Sequence, residues 1–312
     1  MSKKIEAGSS VNDYKKSGKR LTELLDADFM ARLDGLDVLS RKILQGKIQG
    51  ERRSKRRGQS VEFADHRPYV VGDDMRFVDW HVYGRLEQLF LKLFLEEQDL
   101  SVYIVQDSSG SIDYGDPAKG LFIKKLAAAL GYVSLVNNNR VNMCAFADGI
   151  TAELSQMRGR NYLPQMAEFL LTRKDEGFTS FDKSCRQAVS GRIGSGVMIV
   201  LSDFLFKEGY ESGLRRLISD RFDLYVIQVL SPQETDPELV GELKLVDVED
   251  GDIAEITVSA ALMKYYKRNL SAYCHELKQF CTRRGAAYML ASTADKVELL
   301  VLNYLRRIGL LR

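Results

Sequence analysis

The sequence predicts an α/β fold with a doubly wound, mostly parallel sheet, and three observations carry that prediction. Short, near-continuous apolar runs recur at Val102–Val105, Val141–Phe146, Val197–Leu201, Leu224–Val229 and Ala286–Leu290. Amphipathic stretches lie between or after them, among them Leu121–Val133, Tyr162–Leu171 and Leu214–Ile218. Polar, oxygen-bearing residues follow two of the runs directly. Strands that are apolar on both faces and alternate with helices form a parallel sheet covered on both sides.

The chain opens with polar residues 1–18, read as a loose terminus. Phe29, Leu33, Leu36, Leu39 and Ile43 then recur at intervals of three and four, a helical spacing. The run Arg41–Arg57 carries eight Lys/Arg against the single Glu51. From Ser60 to Leu95 the pattern turns irregular and strand-like. The expected organisation is therefore an N-terminal helical and strand region, 1–98, packed on a sheet domain, 99–312. Near the C-terminus, Tyr266, Leu270, Tyr273, Leu277 and Phe280 form one helical face, and Val297, Leu300, Val301, Tyr304 and Ile308 another. Between Leu243–Val248 and Ile253–Val258, Asp250-Gly251-Asp252 reads as a hairpin turn.

Composition excludes several classes. At 312 residues with 45% hydrophobic and 28% charged, the chain is that of an ordinary globular protein. Its net charge of +2 argues neither for nor against a polyanionic partner. Cys144, Cys185, Cys274 and Cys281 include no CxxC pair, so they read as small thiols in a reducing compartment. No secretory segment and no apolar run of about 18 residues is present, and a cytoplasmic location is expected. His66, His81 and His275 are too dispersed for a zinc site.

In an open parallel sheet, ligands sit at the carboxyl ends of the strands. After Val102–Val105 come Asp107, Ser109 and Ser111, one carboxylate and two hydroxyls from one tight loop. After Val197–Leu201 comes Asp203, and between the two lies Gly177-Phe178-Thr179-Ser180-Phe181. The simpler alternative for these hydroxyls is helix capping. Five hard oxygen ligands, Asp107, Ser109, Ser111, Thr179 and Asp203, suit Mg²⁺ or Mn²⁺ rather than zinc. Such a set leaves one coordination position for an anionic group.

The three pieces, Asp107-x-Ser109-x-Ser111, Gly177-Phe178-Thr179 and Leu201-Ser202-Asp203, resemble the metal-ion-dependent adhesion site of von Willebrand factor A domains, whose sheet is Rossmann-type. A second resemblance covers nearly the whole chain. Arg57-Gly58-x-Ser60-x-Glu62-Phe63, Arg67-x-Tyr69-x-x-Gly72-Asp73-Asp74-x-Arg76 and Asp79-Trp80 are similar to the signature of the bacterial family catalogued as domain of unknown function 58. That resemblance implies a von Willebrand A-like domain after the signature and a MoxR-type AAA+ ATPase as partner. Some relatives carry N-terminal membrane helices; this sequence departs from them in having none.

The expectation is a non-enzymatic, metal-dependent protein-binding module. Its partner would offer an acidic side chain, held also by the loops Ser108–Gly115, Gly177–Phe181 and Phe204–Tyr210, with Phe204, Phe206 and Tyr210 as anchors. A Mg²⁺-dependent hydrolase is the first alternative. Against it, no His or Lys is expected beside the ligands, and no nucleotide loop or nucleophile elbow is present. RNA binding through Arg41–Arg57 is the second, although the run lacks the aromatic interleaving of single-strand binders. The charged stretch Glu62–Trp80 reads either as a docking surface for the ATPase or, the favoured reading, as an internal ion-pair network joining the N-terminal region to the sheet domain, with Trp80 buried.

Overall fold

The computed structural model describes residues 21–40, 62–95, 100–173, 175, 177–190, 196–218, 222–239, 241–247 and 251–312. The basic run Arg41–Arg57 and the polar start of the chain lie outside the described residues. Contacts divide the chain into two units, one of Met1–Gln45 with Leu100–Arg312, the other of Gly46–Asp99. The N-terminal stretch thus divides: residues up to Gln45 count with the sheet, and those from Gly46 to Asp99 form their own unit.

In the smaller unit, strands β1 (Glu62–Pro68) and β2 (Phe90–Leu95) pair antiparallel with a register shift between Phe63 and Asp65. Asp79 caps the helix Trp80–Leu86: its Oδ1 accepts from the backbone N–H of His81 at 2.9 Å, and its Oδ2 lies 2.9 Å from His66 Nε2. Arg67 donates to Asp73 at 2.7 Å, and Arg76 grips Asp74 through Nη2 at 2.6 Å. These pairs close within the unit. Trp80 corrects the expectation of burial: it is 56% exposed, its ring set edge-on to Tyr83 at 6.0 Å. It is the first residue of the short helix Trp80–Leu86.

The larger unit is built on six strands. They are β3 (Ser101–Asp107), β4 (Arg140–Ala147), β5 (Gly149–Met157), β6 (Gly196–Ser202), β7 (Phe222–Leu230) and β10 (Ala287–Ser292). Their order is β10-β7-β6-β3-β4-β5, parallel throughout except β5, which runs antiparallel to β4 along one edge. All five strands expected from apolar runs are present. β5 is the addition, and its alternating burial is that of an edge strand with one solvated face. A separate hairpin, β8 (Gly241–Val246) and β9 (Ile253–Val258), stands where Asp250-Gly251-Asp252 predicts a turn.

Alternate residues of each strand feed two cores, as a period of two demands. Val102, Ile104, Val197, Ile199 and Ile227 face one core with the helices Lys119–Val136 and Leu163–Leu171. Leu21, Leu25, Phe29 and Leu33 of the N-terminal stretch join that core. Tyr103, Val105, Met198, Val200 and Val226 face the other, with Phe181, Cys185, Leu214, Leu277 and Cys281 from three further helices. Among the described residues no helix is long and apolar enough to cross a membrane.

Candidate functional site

The chain winds outward from β3 to β4 and β5, then returns to place β6 on the other side of β3. That reversal makes the carboxyl ends of β3 and β6 the topological switch point, where neighbouring loops part and leave a crevice. Asp107 ends β3, and Asp203 follows β6 directly.

Both carboxylates are buried, each 2% exposed. Asp107 is held across the sheet by the Ser202 hydroxyl, which donates to Oδ2 at 2.6 Å, and by the Ser109 backbone N–H, which donates to Oδ1 at 3.0 Å. Burial, and next to it the charge of Asp203, raise the Asp107 carboxyl to about 7, although the hydrogen bonds from Ser202 and Ser109 oppose the rise. A buried pair of like charges is a place that a cation stabilises.

The hydroxyls of Ser109 and Ser111 lie 3.0 Å apart. Ser109 stands at the start of the turn Gly110–Asp113 but makes no side-chain capping bond there, so its hydroxyl faces Ser111 instead of serving the helix end. The third loop is tied to the first by the Gly110 N–H, which donates to the Gly177 carbonyl at 3.1 Å. Gly177 has φ +97°, a left-handed conformation that side chains rarely adopt. Thr179 follows, lining a cavity of about 630 Å³ together with Ser111, Lys119, Asp203 and Glu234. The structure thus gathers four predicted residues, Asp107, Ser109, Ser111 and Asp203, around the switch point, and sets Thr179 on the wall of the same crevice.

The donor set is all oxygen, from two carboxylates and three hydroxyls, which is the chemistry a hard divalent cation takes. Among the described residues no group of three or more His, Cys, Asp or Glu is arranged for a metal, so the hydroxyls would have to complete the shell.

Two residues that sequence reasoning misses complete the crevice. Lys119, 1% exposed, donates from Nζ to Asp203 Oδ2 at 2.6 Å and to Glu234 Oε1 at 2.5 Å. This corrects the expectation that no lysine stands beside the ligands. Burial works to lower its pKa and is the largest single influence, but Asp203 and Glu234 outweigh it and hold the ammonium above the ordinary lysine value. Its proton is therefore firmly kept. Glu234 belongs to a capping box at the end of β7, its Oε2 accepting from the Ser231 backbone N–H at 2.8 Å and from the Ser231 hydroxyl at 3.1 Å. The signal for Glu234 is present in Ser231-Pro232-Gln233-Glu234, a serine and glutamate at capping-box spacing directly after an apolar run.

Two of the three expected anchors, Phe204 and Tyr210, are also corrected. Phe204 is fully buried and Tyr210 is 4% exposed. Phe206 stacks on Phe181 at 4.5 Å with the rings 16° from parallel. Phe204 has φ 57°, a strained value for a non-glycine residue, and its ring turns into the core against Phe181. The apolar groups that line the cavity are Phe178, 60% exposed, with Tyr114, Leu205 and the expected Phe206. The lining also carries Asp148, Glu208 and Asp247; Asp148 pairs with Lys183 at 2.9 Å and Asp247 with Lys207 at 2.8 Å.

The family model described as "Protein of unknown function DUF58" matches residues 65–276, and the chain belongs to that family. It is 25% identical over 276 residues to the uncharacterized protein Rv1480 of Mycobacterium tuberculosis, covering 86% of this chain and 85% of that protein. The uncharacterized protein Mb1516 of Mycobacterium bovis matches to the same extent, 25% over 276 residues. Among solved structures, the chain is similar to the conserved hypothetical protein BatB from Bacteroides thetaiotaomicron, with 13% identity and a TM-score of 0.39 over 67% of this chain and 98% of that one. It is also similar to the SpRpn10 VWA domain, with 10% identity and a TM-score of 0.37 over 65% and 94% of the two chains.

Proposed function

We propose that this member of the DUF58 family is a non-enzymatic protein-binding module. It would hold one Mg²⁺ or Mn²⁺ with Asp107, Ser109, Ser111, Thr179 and Asp203, and would use the ion to capture an acidic side chain of a partner. The observation that supports this reading best is the convergence at the switch point of oxygen donors from three separate loops. When bound, the ion would supply a Lewis-acidic position for an incoming carboxylate; the rest is the work of the chain. Ser202 and the Ser109 N–H orient Asp107, the Gly110–Gly177 backbone bond fixes the third loop, and Phe178 and Leu205 offer apolar contact beside the ion. Association would depend on the metal because the ion would offer the position that the partner's carboxylate takes.

A MoxR-type AAA+ ATPase is the proposed partner, on the strength of the resemblance carried by Arg67-x-Tyr69-x-x-Gly72-Asp73-Asp74-x-Arg76. The testing experiment is capture of a MoxR-type ATPase by the tagged protein, with Mg²⁺ and with EDTA, comparing wild type with Asp107→Ala. Capture only by the wild type and only with Mg²⁺ is expected. Equal capture in EDTA would contradict the metal bridge.

A further inference from the structure

We infer that Lys119 is the resident counter-cation of the crevice, a tethered positive charge that holds Asp203 and Glu234 when no divalent ion is bound and that weakens divalent-ion binding when one arrives. The inference rests on the proposed cation site and adds to it a residue that sets its affinity.

Four observations carry it. First, Lys119 is almost wholly buried, and lysine is among the residue types least often buried unless paired. Second, it is the first residue of the helix Lys119–Val136, the end at which the backbone dipole disfavours a cation, so its side chain is held there by the two carboxylates rather than by its helix. Third, those carboxylates are fixed independently of it. Asp203 Oδ1 accepts from the Leu205 N–H at 3.1 Å, and its carbonyl accepts from Gln228 Nε2 at 2.8 Å. Glu234 is held by its capping box and by Tyr266, whose hydroxyl donates to the Glu234 carbonyl at 2.8 Å. The cradle is thus a preformed seat for positive charge. Fourth, one wall of that cradle, Asp203, belongs to the proposed divalent-ion ligands. An ion bound through Asp203 must either share the carboxylate with the ammonium or displace it, and in both cases the ammonium opposes binding.

Lys119→Met keeps the side chain up to the position of Cε and removes the charged ammonium. Calorimetric titration with MgCl₂ and thermal unfolding in EDTA should be run on wild type, Lys119→Met and Asp107→Ala. The expected result is Mg²⁺ binding at least tenfold tighter in Lys119→Met than in wild type, with a lower melting temperature in EDTA that Mg²⁺ restores. Because Asp203 and Glu234 lose their counter-charge in this variant, the double variant Lys119→Met/Glu234→Gln is run beside it, and it too should bind Mg²⁺ more tightly than wild type. Unchanged or weaker binding in a folded variant would overturn the inference. So would failure of both variants to fold in millimolar Mg²⁺, since the ion could then not replace the ammonium. The outcomes separate the two claims: a wild type whose Mg²⁺ binding matches that of Asp107→Ala defeats the cation site itself, whereas wild-type binding that Lys119→Met does not tighten defeats only the role of Lys119.

Discussion

The Ser202 hydroxyl donates to Asp107 Oδ2 at 2.6 Å, joining the last residue of β6 to the last residue of β3. The same oxygen accepts from the Phe204 N–H at 2.9 Å, so one serine both orients the buried carboxylate and shapes the turn that presents Asp203. Ser202→Ala leaves a buried carboxylate and a backbone N–H each short of a partner. The expected cost is about 1–3 kcal/mol in chemical denaturation, with weakened Mg²⁺ binding in the same protein.

The raised pKa of Asp107 sets a pH dependence. Its carboxyl titrates near 3.8 in the unfolded chain and at about 7 in the fold, so folding favours the protonated form. The stability this contributes is fully present below 3.8 and is lost as pH rises through about 7. In EDTA, the melting temperature should therefore fall between about pH 4 and pH 7 and level off above that, and Asp107→Asn should flatten that fall. With Mg²⁺ present the fall should also shrink, because cation and proton compete for the same carboxylate. A fall of the same size in Asp107→Asn would assign it to other groups.

The aromatic residues around the site divide by role. Phe204→Ala removes a fully buried ring and is expected to cost about 3–5 kcal/mol. Phe178→Ala removes an exposed one and should leave stability within about 0.5 kcal/mol while weakening partner capture. Denaturation and pull-down on the two variants check this, and equal loss of stability in both would refute the division.

No turnover is expected. Lys119 is the basic group nearest the ligands in the crevice, and it is held as an ammonium by two carboxylates. It therefore lacks the free lone pair that a general base or nucleophile needs. Phosphatase, nuclease and ATPase assays with Mg²⁺ should read at background. Activity that persists through purification and vanishes in Asp203→Ala would contradict the non-enzymatic reading.

Much of this architecture is legible in the sequence because parallel strands buried on both faces are written as unbroken apolar runs, and all five marked strands form. The edge strand β5 is harder to see, since its burial alternates and its apolar residues are few. Asp107, Ser109, Ser111 and Asp203 are legible because each stands at or just beyond the end of such a run. Lys119 is not: a lysine opening an amphipathic helix reads as solvated, and its burial depends on Glu234, 115 residues away. Phe204 misleads for a related reason. Its strained backbone turns the ring inward, and no local pattern announces that turn.

The most direct test of the central claim is a calorimetric titration of MgCl₂ into wild type and Asp107→Ala, with circular dichroism confirming that both are folded. Saturable binding of one ion in the wild type, absent from the variant, is the predicted result. The same heat of binding in both proteins would contradict it.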